Sequence, residues 1–191
     1  MFLLVGLGNY GKEYLTTKHN YGFLLIDKII ARYKFIEQKN KFQSEFFLGN
    51  IGEQKIIAIK PQTYMNLSGK AVFDVQNFFK ILNQNIWVFH DDLDIEFGKI
   101  KYKIGGGNAG HNGLKSIDQL ISNNYHRLRL GIGRPSNPNY EISDFVLSKF
   151  LPNELEEIDK ITDLIADNFY LLMQNKIDEF FNIINTISTN K

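Results

Sequence analysis

The chain opens on an apolar run, Phe2-Leu-Leu-Val5, and passes through Gly6-Leu-Gly-Asn-Tyr-Gly11 to Thr17-Lys-His-Asn20. The apolar run predicts a short buried strand, and the glycines predict a turn at its end. Two polar residues with chemical potential, Asn9 and His19, follow in or after this turn. A strand, a glycine turn and then polar side chains are typical of α/β proteins, which place their sites at the carboxyl edge of the sheet.

The glycine turn also fits G-x-G-x-x-G, the pattern of dinucleotide-binding proteins. That pattern requires a helix that begins at the third glycine and an acidic residue at the end of the next strand. Here the segment 12–17 separates the third glycine from the helix signal, and the next predicted strands end at Asn50 and Lys60. A dinucleotide role for this turn is therefore disfavoured.

The composition is that of an ordinary globular protein. Of the 191 residues, 43% are apolar and 23% are charged, which suits one domain with a sizeable core. Cysteine is absent, so disulfides, thiolate metal sites and a cysteine nucleophile are excluded. The sequence shows neither a leader-peptide pattern nor the ~20 consecutive apolar residues of a membrane span. We therefore expect a soluble, cytoplasmic protein without a membrane partner.

The charge is unevenly distributed along the chain although the net charge is only +1. Residues 95–135 contain seven basic and two acidic residues, whereas residues 141–170 contain eight acidic and two basic ones. The basic segment could face an anionic ligand. Two ordinary solvated faces would produce the same pattern, so charge alone does not decide between these interpretations.

Strand and helix patterns alternate along the chain, with one hairpin inserted. Helix caps are expected at Thr16 or Thr17, at Ser68, and as a capping box over Asn153-Glu-Leu-Glu156. The pattern predicts a single α/β domain over residues 1–191, with a twisted mixed sheet flanked by helices. The predicted strands are 2–6, 44–50, 54–60, 86–89, 99–104 and 127–132, and the predicted helices are 20–33, 69–82, 114–121, 153–175 and 176–187.

Polar residues that can do chemistry recur where the predicted strands end or the helices begin. Because connecting loops at one edge of a sheet lie close together, these residues could form one site. They are Asn9, His19, Asn66, Asp91, His111 and Asn112.

The segment His90-Asp-Asp-Leu-Asp94 has two interpretations. Its carboxylates could bind a divalent metal such as Mg²⁺ or Ca²⁺. Alternatively, one carboxylate could orient a histidine while the others are solvated. With an aspartate from another strand end, His19 could act as a general base. Since the chain has no G-x-S-x-G elbow and no cysteine, water activated by histidine is the simplest hydrolytic scheme.

Six segments taken together resemble, in order and spacing, the bacterial-type peptidyl-tRNA hydrolases. The resemblance extends from the first strand to about residue 150, and a helical region of the expected length follows. Six ordered motifs are far more specific than any single one. They are Val5–Gly11, Tyr14 with Thr17–Asn20, Lys60–Lys70, His90–Asp94, Gly105–Lys115 and His126–Gly133.

Two positions depart from the family pattern. Tyr10 stands where the family usually has proline, so the first turn lacks a fixed φ angle. Asn108 and Ala109 occupy positions in the glycine loop where other residues are usual. Neither departure removes a group with an implied catalytic role.

The resemblance implies an activity, namely hydrolysis of the ester between the carboxyl end of a peptide and the 3′-terminal ribose of tRNA. This reaction recycles tRNA from peptidyl-tRNA released by stalled ribosomes. The resemblance further implies that His19 takes a proton from the attacking water and that Asp91 orients His19. Asn9, Asn66 and Asn112 correspond to the asparagines of the cleft, whose amides can both donate and accept hydrogen bonds.

The remaining implied positions contact the substrate. Tyr14 and Met65 would line its channel, and His111 would lie at the rim. Lys103 and Arg129 correspond to a pair that binds the 5′-phosphate of tRNA, a contact that gives affinity without reading sequence.

The resemblance implies no metal and no organic cofactor, and it implies a monomer with tRNA as its macromolecular partner. Two other functions remain as alternatives from different classes. One is a metal-dependent hydrolase that uses the acidic segment, and the other is a non-catalytic RNA-binding protein that retains the basic face.

Overall fold

The computed structural model describes residues 1–137 and 139–188. Its strands are β1 (Phe2–Gly6), β2 (Ile36–Lys41), β3 (Ser44–Ile51), β4 (Gln54–Pro61), β5 (Ile86–Asp92), β6 (Ile100–Ile104) and β7 (His126–Gly131). Its helices are α1 (Tyr21–Tyr33), α2 (Ser68–Phe79), α3 (Asn112–Ile121), α4 (Ile142–Leu147), α5 (Pro152–Met173) and α6 (Ile177–Ser188). Short 3₁₀ turns occupy Lys12–Tyr14, Lys18–Asn20, Met65–Leu67 and Asn83–Asn85.

The strands form one mixed sheet in the order β2-β3-β4-β1-β5-β7-β6. Its centre is parallel, because β1 pairs in parallel with β4 and β5, and β5 with β7. Antiparallel strands complete both edges, with β2 and β3 on one side and β6 on the other. The predicted α/β class with a mixed sheet and flanking helices is confirmed.

Helices cover both faces of the sheet and bury its apolar residues. On one face, α1, α5 and α6 pack over residues such as Leu4, Trp87 and Phe89. On the other face, α2 and α3 pack over Leu3 and Val88. Each fully buried side chain of this size contributes roughly 1.5–3 kcal/mol, so both layers are needed for stability.

Gly22 allows the start of α1 to lie directly on the sheet. A Cβ atom built on Gly22 would collide with the carbonyl oxygen of Phe89 and would lie 2.5 Å from the backbone nitrogen of Leu7. Only glycine fits this close approach of two backbones. The approach brings the 3₁₀ turn before α1, which contains His19, to the carboxyl end of β5.

Two elements were not predicted from the sequence. Strand β2 is polar and largely exposed, and it pairs only with β3 at the edge of the sheet. Helix α4 has only six residues and no buried residue. The β2 segment shows no apolar alternation, and the α4 segment, although Ile142, Phe145 and Val146 have helical spacing, is shorter than the window in which periodicity predicts a helix.

The predicted caps were wrong in their details. Thr17 precedes a 3₁₀ turn and has no capping bond, and Ser68 lies inside α2, where its hydroxyl donates to the carbonyl oxygen of Met65. The α5 capping bond is made by Glu154, whose carboxylate accepts from the backbone nitrogen of Leu151 at 2.8 Å. Helix α2 also ends earlier than predicted, because Lys80 adopts the left-handed conformation with φ of 54°.

No helix in the described part of the chain is long and apolar enough to cross a membrane.

Candidate active site

Strand β5 places the carboxylate of Asp91 at the carboxyl edge of the sheet. The strand continues through Asp92, so Asp91 lies on the strand and not in a loop as expected. Its Oδ1 atom lies 2.9 Å from Nδ1 of His19. An ionised carboxylate can accept hydrogen bonds but cannot donate them. His19 therefore carries a proton on Nδ1, and its Nε2 atom keeps a free lone pair. The arrangement leaves Nε2 as a base.

Burial and charge act in opposite directions on the His19 ring. Burial alone lowers the pKa of His19, but the charge of Asp91 and the hydrogen bond to it outweigh burial, and the pKa is raised above its ordinary value. Burial alone would raise the pKa of Asp91, but His19 and His111 lower it below its ordinary value. Asp91 is therefore ionised at neutral pH and stabilises the protonated form of His19.

His111 donates a second hydrogen bond to the same carboxylate oxygen. Its Nε2 atom lies 3.0 Å from Oδ1 of Asp91, and its ring centroid lies 4.8 Å from that of His19. The Nδ1 atom of His111 accepts from the backbone nitrogens of Gly113 at 3.1 Å and Leu114 at 3.4 Å. Both ring nitrogens of His111 are thus used inside the protein, one by Asp91 and one by the start of α3.

Asn9 is tied to the His19 turn through Asn20. The backbone nitrogen of Asn9 donates to Oδ1 of Asn20 at 2.8 Å, and Nδ2 of Asn20 donates to the carbonyl oxygen of Asn9 at 2.9 Å. Asn20 is only 1% exposed. Asn20 had no predicted role. Its signal was its position next to His19, since a buried amide usually holds a backbone in place.

The other predicted residues occupy the surroundings of this cluster to different degrees. Asn112 shares a cavity of about 230 Å³ with His19 and Asp91. Met65 is buried, and its sulfur lies against Gly113, so the 3₁₀ turn that bears Met65 and the exposed Asn66 packs beside the start of α3. No described contact joins the Asn66 side chain to His19.

Tyr14 ends the first 3₁₀ turn and is half-buried. Its carbonyl oxygen accepts from the hydroxyl of Thr17 at 2.9 Å. In the described structure, no contact joins its ring to His19 or Asp91.

The other carboxylates of the acidic segment are paired with arginines. Asp92 accepts from Nε of Arg129 at 2.8 Å, and Asp94 accepts from Nη2 of Arg134 at 2.6 Å. The three aspartates of this segment therefore have different partners and do not converge on one point. This geometry does not form the oxygen cage that Mg²⁺ or Ca²⁺ requires.

A different group, His19, Asp91 and His111, could supply metal ligands. Its three candidate ligand atoms lie within 4.8 Å of one another. Two nitrogens bound to one zinc ion at about 2.1 Å can be at most about 4.2 Å apart. In addition, both histidines present N–H groups to Asp91, whereas a metal needs a lone pair at each ligand atom. Metal binding would therefore require new tautomers and tighter convergence.

Four basic residues lie on one face of the β6–β7 edge. The strand register pairs Lys101 with Arg129 and Lys103 with Arg127, and directly paired residues share a face. Arg127 is buried and bonded to Asp118 at 2.8 Å. Among the described residues, Lys103 has no carboxylate partner, and its ammonium group lies against Gly106 of the glycine loop.

The two remaining histidines, His90 and His126, pack against other rings. His126 stacks on Trp87 with ring centroids 4.3 Å apart and hydrogen-bonds Tyr102. His90 is buried, and burial together with the nearby His111 lowers its pKa to about 3. The ring of His90 packs edge-on against His111 at 5.2 Å.

Helix α4 forms the wall of the cavity opposite β5, through residues that include Ile142 and Val146. A buried lysine next to the base anchors this wall. The Nζ atom of Lys18 lies 2.9 Å from Oε2 of Glu154 and 4.5 Å from the centre of the Phe150 ring. The backbone nitrogen of Lys18 also donates to the carbonyl oxygen of Ser148, the residue that follows α4, at 3.0 Å. The turn that bears the base is thereby attached to both α4 and α5.

Comparison with known proteins shows the family of the chain. A family model described as peptidyl-tRNA hydrolase matches residues 3–191. The peptidyl-tRNA hydrolase of Rickettsia canadensis is 50% identical over 185 residues, which cover 96% of this chain and 100% of that protein. The corresponding protein of Rickettsia felis is 52% identical with the same coverage.

A solved structure gives the same result. The crystal structure of peptidyl-tRNA hydrolase from Acinetobacter baumannii matches with a TM-score of 0.89 and 38% identity, covering 97% of this chain and 94% of that one. The resemblance inferred from the six sequence motifs is therefore confirmed. Matches at this level over nearly the whole length show that the chain belongs to the peptidyl-tRNA hydrolase family.

Proposed function

We propose that the protein hydrolyses the ester between a peptide and the 3′-terminal ribose of tRNA, with His19 as the general base. The observation that carries this proposal is the hydrogen bond of 2.9 Å between Nδ1 of His19 and Asp91. It fixes the tautomer whose free Nε2 atom can take a proton from water. Family membership supports the choice of substrate, and the tautomer of His19 supports its role as the base.

The reaction has two steps. Water attacks the ester carbonyl carbon while His19 takes one of its protons at Nε2, which gives a tetrahedral oxyanion. The bond from this carbon to the ribose 3′-oxygen then breaks, and His19 returns the proton to that oxygen. The products are a peptide with a free carboxyl group and tRNA with a free 3′-hydroxyl. Asp91 stabilises the imidazolium between the steps through its negative charge.

The amides of Asn9, Asn66 and Asn112 form the proposed cleft, together with Tyr14 and Met65. Amides suit this role because one group can donate to the oxyanion while another accepts from water or a peptide N–H. The positions of Asn9 and Asn112 support the assignment. Asn9 is held by the residue next to His19, and Asn112 lies in the same cavity as His19.

The basic face of β6–β7 is the proposed site for the tRNA backbone. Lys103 lacks a carboxylate partner among the described residues and is therefore free to meet a phosphate. Arg129 bonds Asp92 through Nε, which leaves the other edge of its guanidinium for the 5′-phosphate. Since such contacts are electrostatic, we expect affinity for substrate to fall steeply with salt.

A cleavage assay on N-blocked and unblocked aminoacyl-tRNA, with excess chelator present, tests the activity. Wild-type protein should release tRNA from the N-blocked substrate, and replacing His19 by alanine should lower turnover by about 10²–10⁴-fold while tRNA binding is kept. His126→Phe is the matched control, because it removes a histidine but keeps an aromatic ring on Trp87. Retention of turnover within a few-fold in His19→Ala would show that His19 is not the base.

The same assay separates the two alternative functions. Binding of tRNA without cleavage would indicate a non-catalytic RNA-binding protein. Cleavage that chelator abolishes and added metal restores would indicate a metal-dependent hydrolase.

Replacing Lys103 and Arg129 by alanine tests the phosphate site. Their loss should weaken cleavage of full peptidyl-tRNA far more than cleavage of a minimal peptide–nucleoside ester. Arg134→Ala is the matched control, because Arg134 is also paired with an aspartate of the acidic segment. Equal losses on both substrates would argue against a phosphate-binding role.

We also propose that residues 1–191 act as one domain, as a monomer and in the cytoplasm. Every residue of the proposed site comes from a single chain, and the substrate is a product of translation. Sedimentation at working concentration tests the oligomeric state.

A further inference from the structure

His111 has no ring nitrogen left for a substrate at the rim of the cleft. Its Nε2–H donates to Asp91 at 3.0 Å, and its Nδ1 accepts from two backbone nitrogens of α3. Its side chain is only 8% exposed. A residue that contacted substrate through hydrogen bonds would need to give up one of these two internal connections.

We infer that His111 is a positioning residue, which fixes the charge and orientation of the Asp91 carboxylate and so sets the proton affinity of His19. This inference rests on the proposed function of His19 as the base. It assigns His111 a task inside the catalytic pair, in place of the expected contact with the substrate.

The geometry around one oxygen atom carries the inference. Oδ1 of Asp91 accepts from His19 at 2.9 Å and from His111 at 3.0 Å. A carboxylate that receives two N–H groups on one oxygen cannot rotate without losing both. Each donor also draws part of the negative charge toward itself, so the charge that Asp91 offers to His19 depends on His111.

The other nitrogen of His111 gives the ring its orientation. Because Nδ1 accepts from the first turn of α3, the proton of His111 must be on Nε2, where it points at Asp91. A proton on Nδ1 would also be opposed by the positive end of the helix. The start of α3 thereby selects the tautomer that can donate to the carboxylate.

Other charged groups around His19 do not compete for Oδ1. On β5 and beyond it, Asp92 and Asp94 line the same cavity but are paired with arginines. His90 donates to the carbonyl oxygen of Asp91 at 2.7 Å through its Nδ1 atom. Lys18, on the same turn as His19, is paired with Glu154. Of these groups, only His111 shares the carboxylate oxygen with the base.

Two amide substitutions separate the two roles of the ring. His111→Gln places an amide nitrogen near the position of Nε2, so it can still donate to Asp91 but no longer caps α3. His111→Asn places an amide oxygen near the position of Nδ1, so it still caps α3 but no longer reaches Asp91. The two variants have the same functional group and differ only in where it lies.

The two variants should rank in one order for turnover and in the reverse order for thermal stability. His111→Asn should lower turnover about 10-fold and move the pKa of His19 upward by up to about one unit, because Asp91 then interacts with His19 alone. His111→Gln should recover most of this turnover and keep the His19 pKa near that of the wild type. Thermal unfolding should show the reverse, with the glutamine variant less stable because its helix cap is lost.

The His19 pKa is measured by NMR titration without substrate, which is feasible because the chain has four histidines. Failure of the wild type to cleave peptidyl-tRNA would count against the proposed function, whereas the titration tests the inference alone. If His111→Asn leaves the His19 pKa unchanged, or if His111→Gln shifts it equally, the positioning role is wrong. A rise in KM without a change in pKa or kcat in both variants would instead assign His111 to substrate binding.

Discussion

Replacing Asn20 by alanine should reduce both stability and catalysis, because this side chain holds the backbone of Asn9 next to the base. The substitution removes two hydrogen bonds, of 2.8 and 2.9 Å, that join Asn20 to the nitrogen and the carbonyl oxygen of Asn9, and a long one of 3.4 Å from the hydroxyl of Thr17. It also leaves His19, one residue away, in place. The expected effect is therefore a loss of position at Asn9, without a loss of the catalytic pair.

The size of the effect follows from these two bonds. A typical hydrogen bond contributes about 0.5–1.5 kcal/mol, so their loss should cost roughly 1–3 kcal/mol of unfolding free energy. Because Asn9 is half-buried, water can partly replace the lost partners, which favours the lower half of that range. For a chain of this length, the melting temperature should fall by about 2–8 °C.

The catalytic effect is expected to be larger than the effect on stability. A displacement of about 1 Å in a group that contacts the reacting atoms can cost on the order of 10²-fold in rate. We therefore expect kcat/KM to fall about 10- to 100-fold for Asn20→Ala when it is measured well below the melting temperature. Turnover of N-blocked aminoacyl-tRNA is the assay, and thermal unfolding on the same samples gives the stability.

Asn83→Ala provides the matched control. Like Asn20, Asn83 has an amide with hydrogen bonds through both ends, here to Gln76 and to the carbonyl oxygen of Ile121. It is half-buried and lies before β5, at the opposite edge of the sheet. The Asn83→Ala variant should lose a similar amount of stability and keep its turnover. Asn20→Ala with turnover within twofold of the wild type would refute the reasoning, since Asn9 would then need no support from Asn20.

Three further perturbations test other contacts. Cleavage should increase with pH through a midpoint above the ordinary imidazole value of about 6.5, because the pKa of His19 is raised and only its neutral form is a base. A pH–rate profile measures this midpoint, and Asp91→Asn should lower it. Lys18→Met should cost about 1–3 kcal/mol of unfolding free energy. This is less than the ~3–5 kcal/mol of a fully buried pair, because Glu154 is partly exposed. Adding Glu154→Gln should recover part of the lost stability in a double-mutant cycle. Gly22→Ala should cost about 3 kcal/mol, the upper end of the usual range for overpacking, because its Cβ would meet the backbone of the sheet. A fully stable, active protein would show that α1 can shift away.

The apolar segments of the fold were predictable from sequence, whereas its polar edge was not. Phe2–Gly6 and the hairpin over Ser44–Pro61 are apolar and end at glycine, proline or polar residues, so pattern and structure agree. The strand Ile36–Lys41 carries five polar residues in six positions, and only its pairing with β3 makes it a strand. Pairing with a neighbour depends on the assembled sheet, so local periodicity cannot reveal it.

The candidate site shows the same division. The strand pattern predicted that His19 could pair with an aspartate from another strand end, and the family resemblance implied that this aspartate is Asp91. The two connections of His111 were not predicted, because they depend on the direction of a ring at the start of α3. Nor did spacing reveal that Asn20 holds Asn9, although the two residues lie in the same quoted segment.

The acidic segment shows how strand geometry separates neighbouring charges. Successive residues of a strand point to opposite faces, so Asp91 and Asp92 on β5 pair with different partners although both line the same cavity. Asp91 meets the two histidines, whereas Asp92 lies on the face where β7 presents Arg129. Two adjacent residues of one strand thus connect the base to the arginine proposed to bind phosphate. Carboxylates that look like a metal cluster in sequence are, on a strand, better placed to serve two different partners.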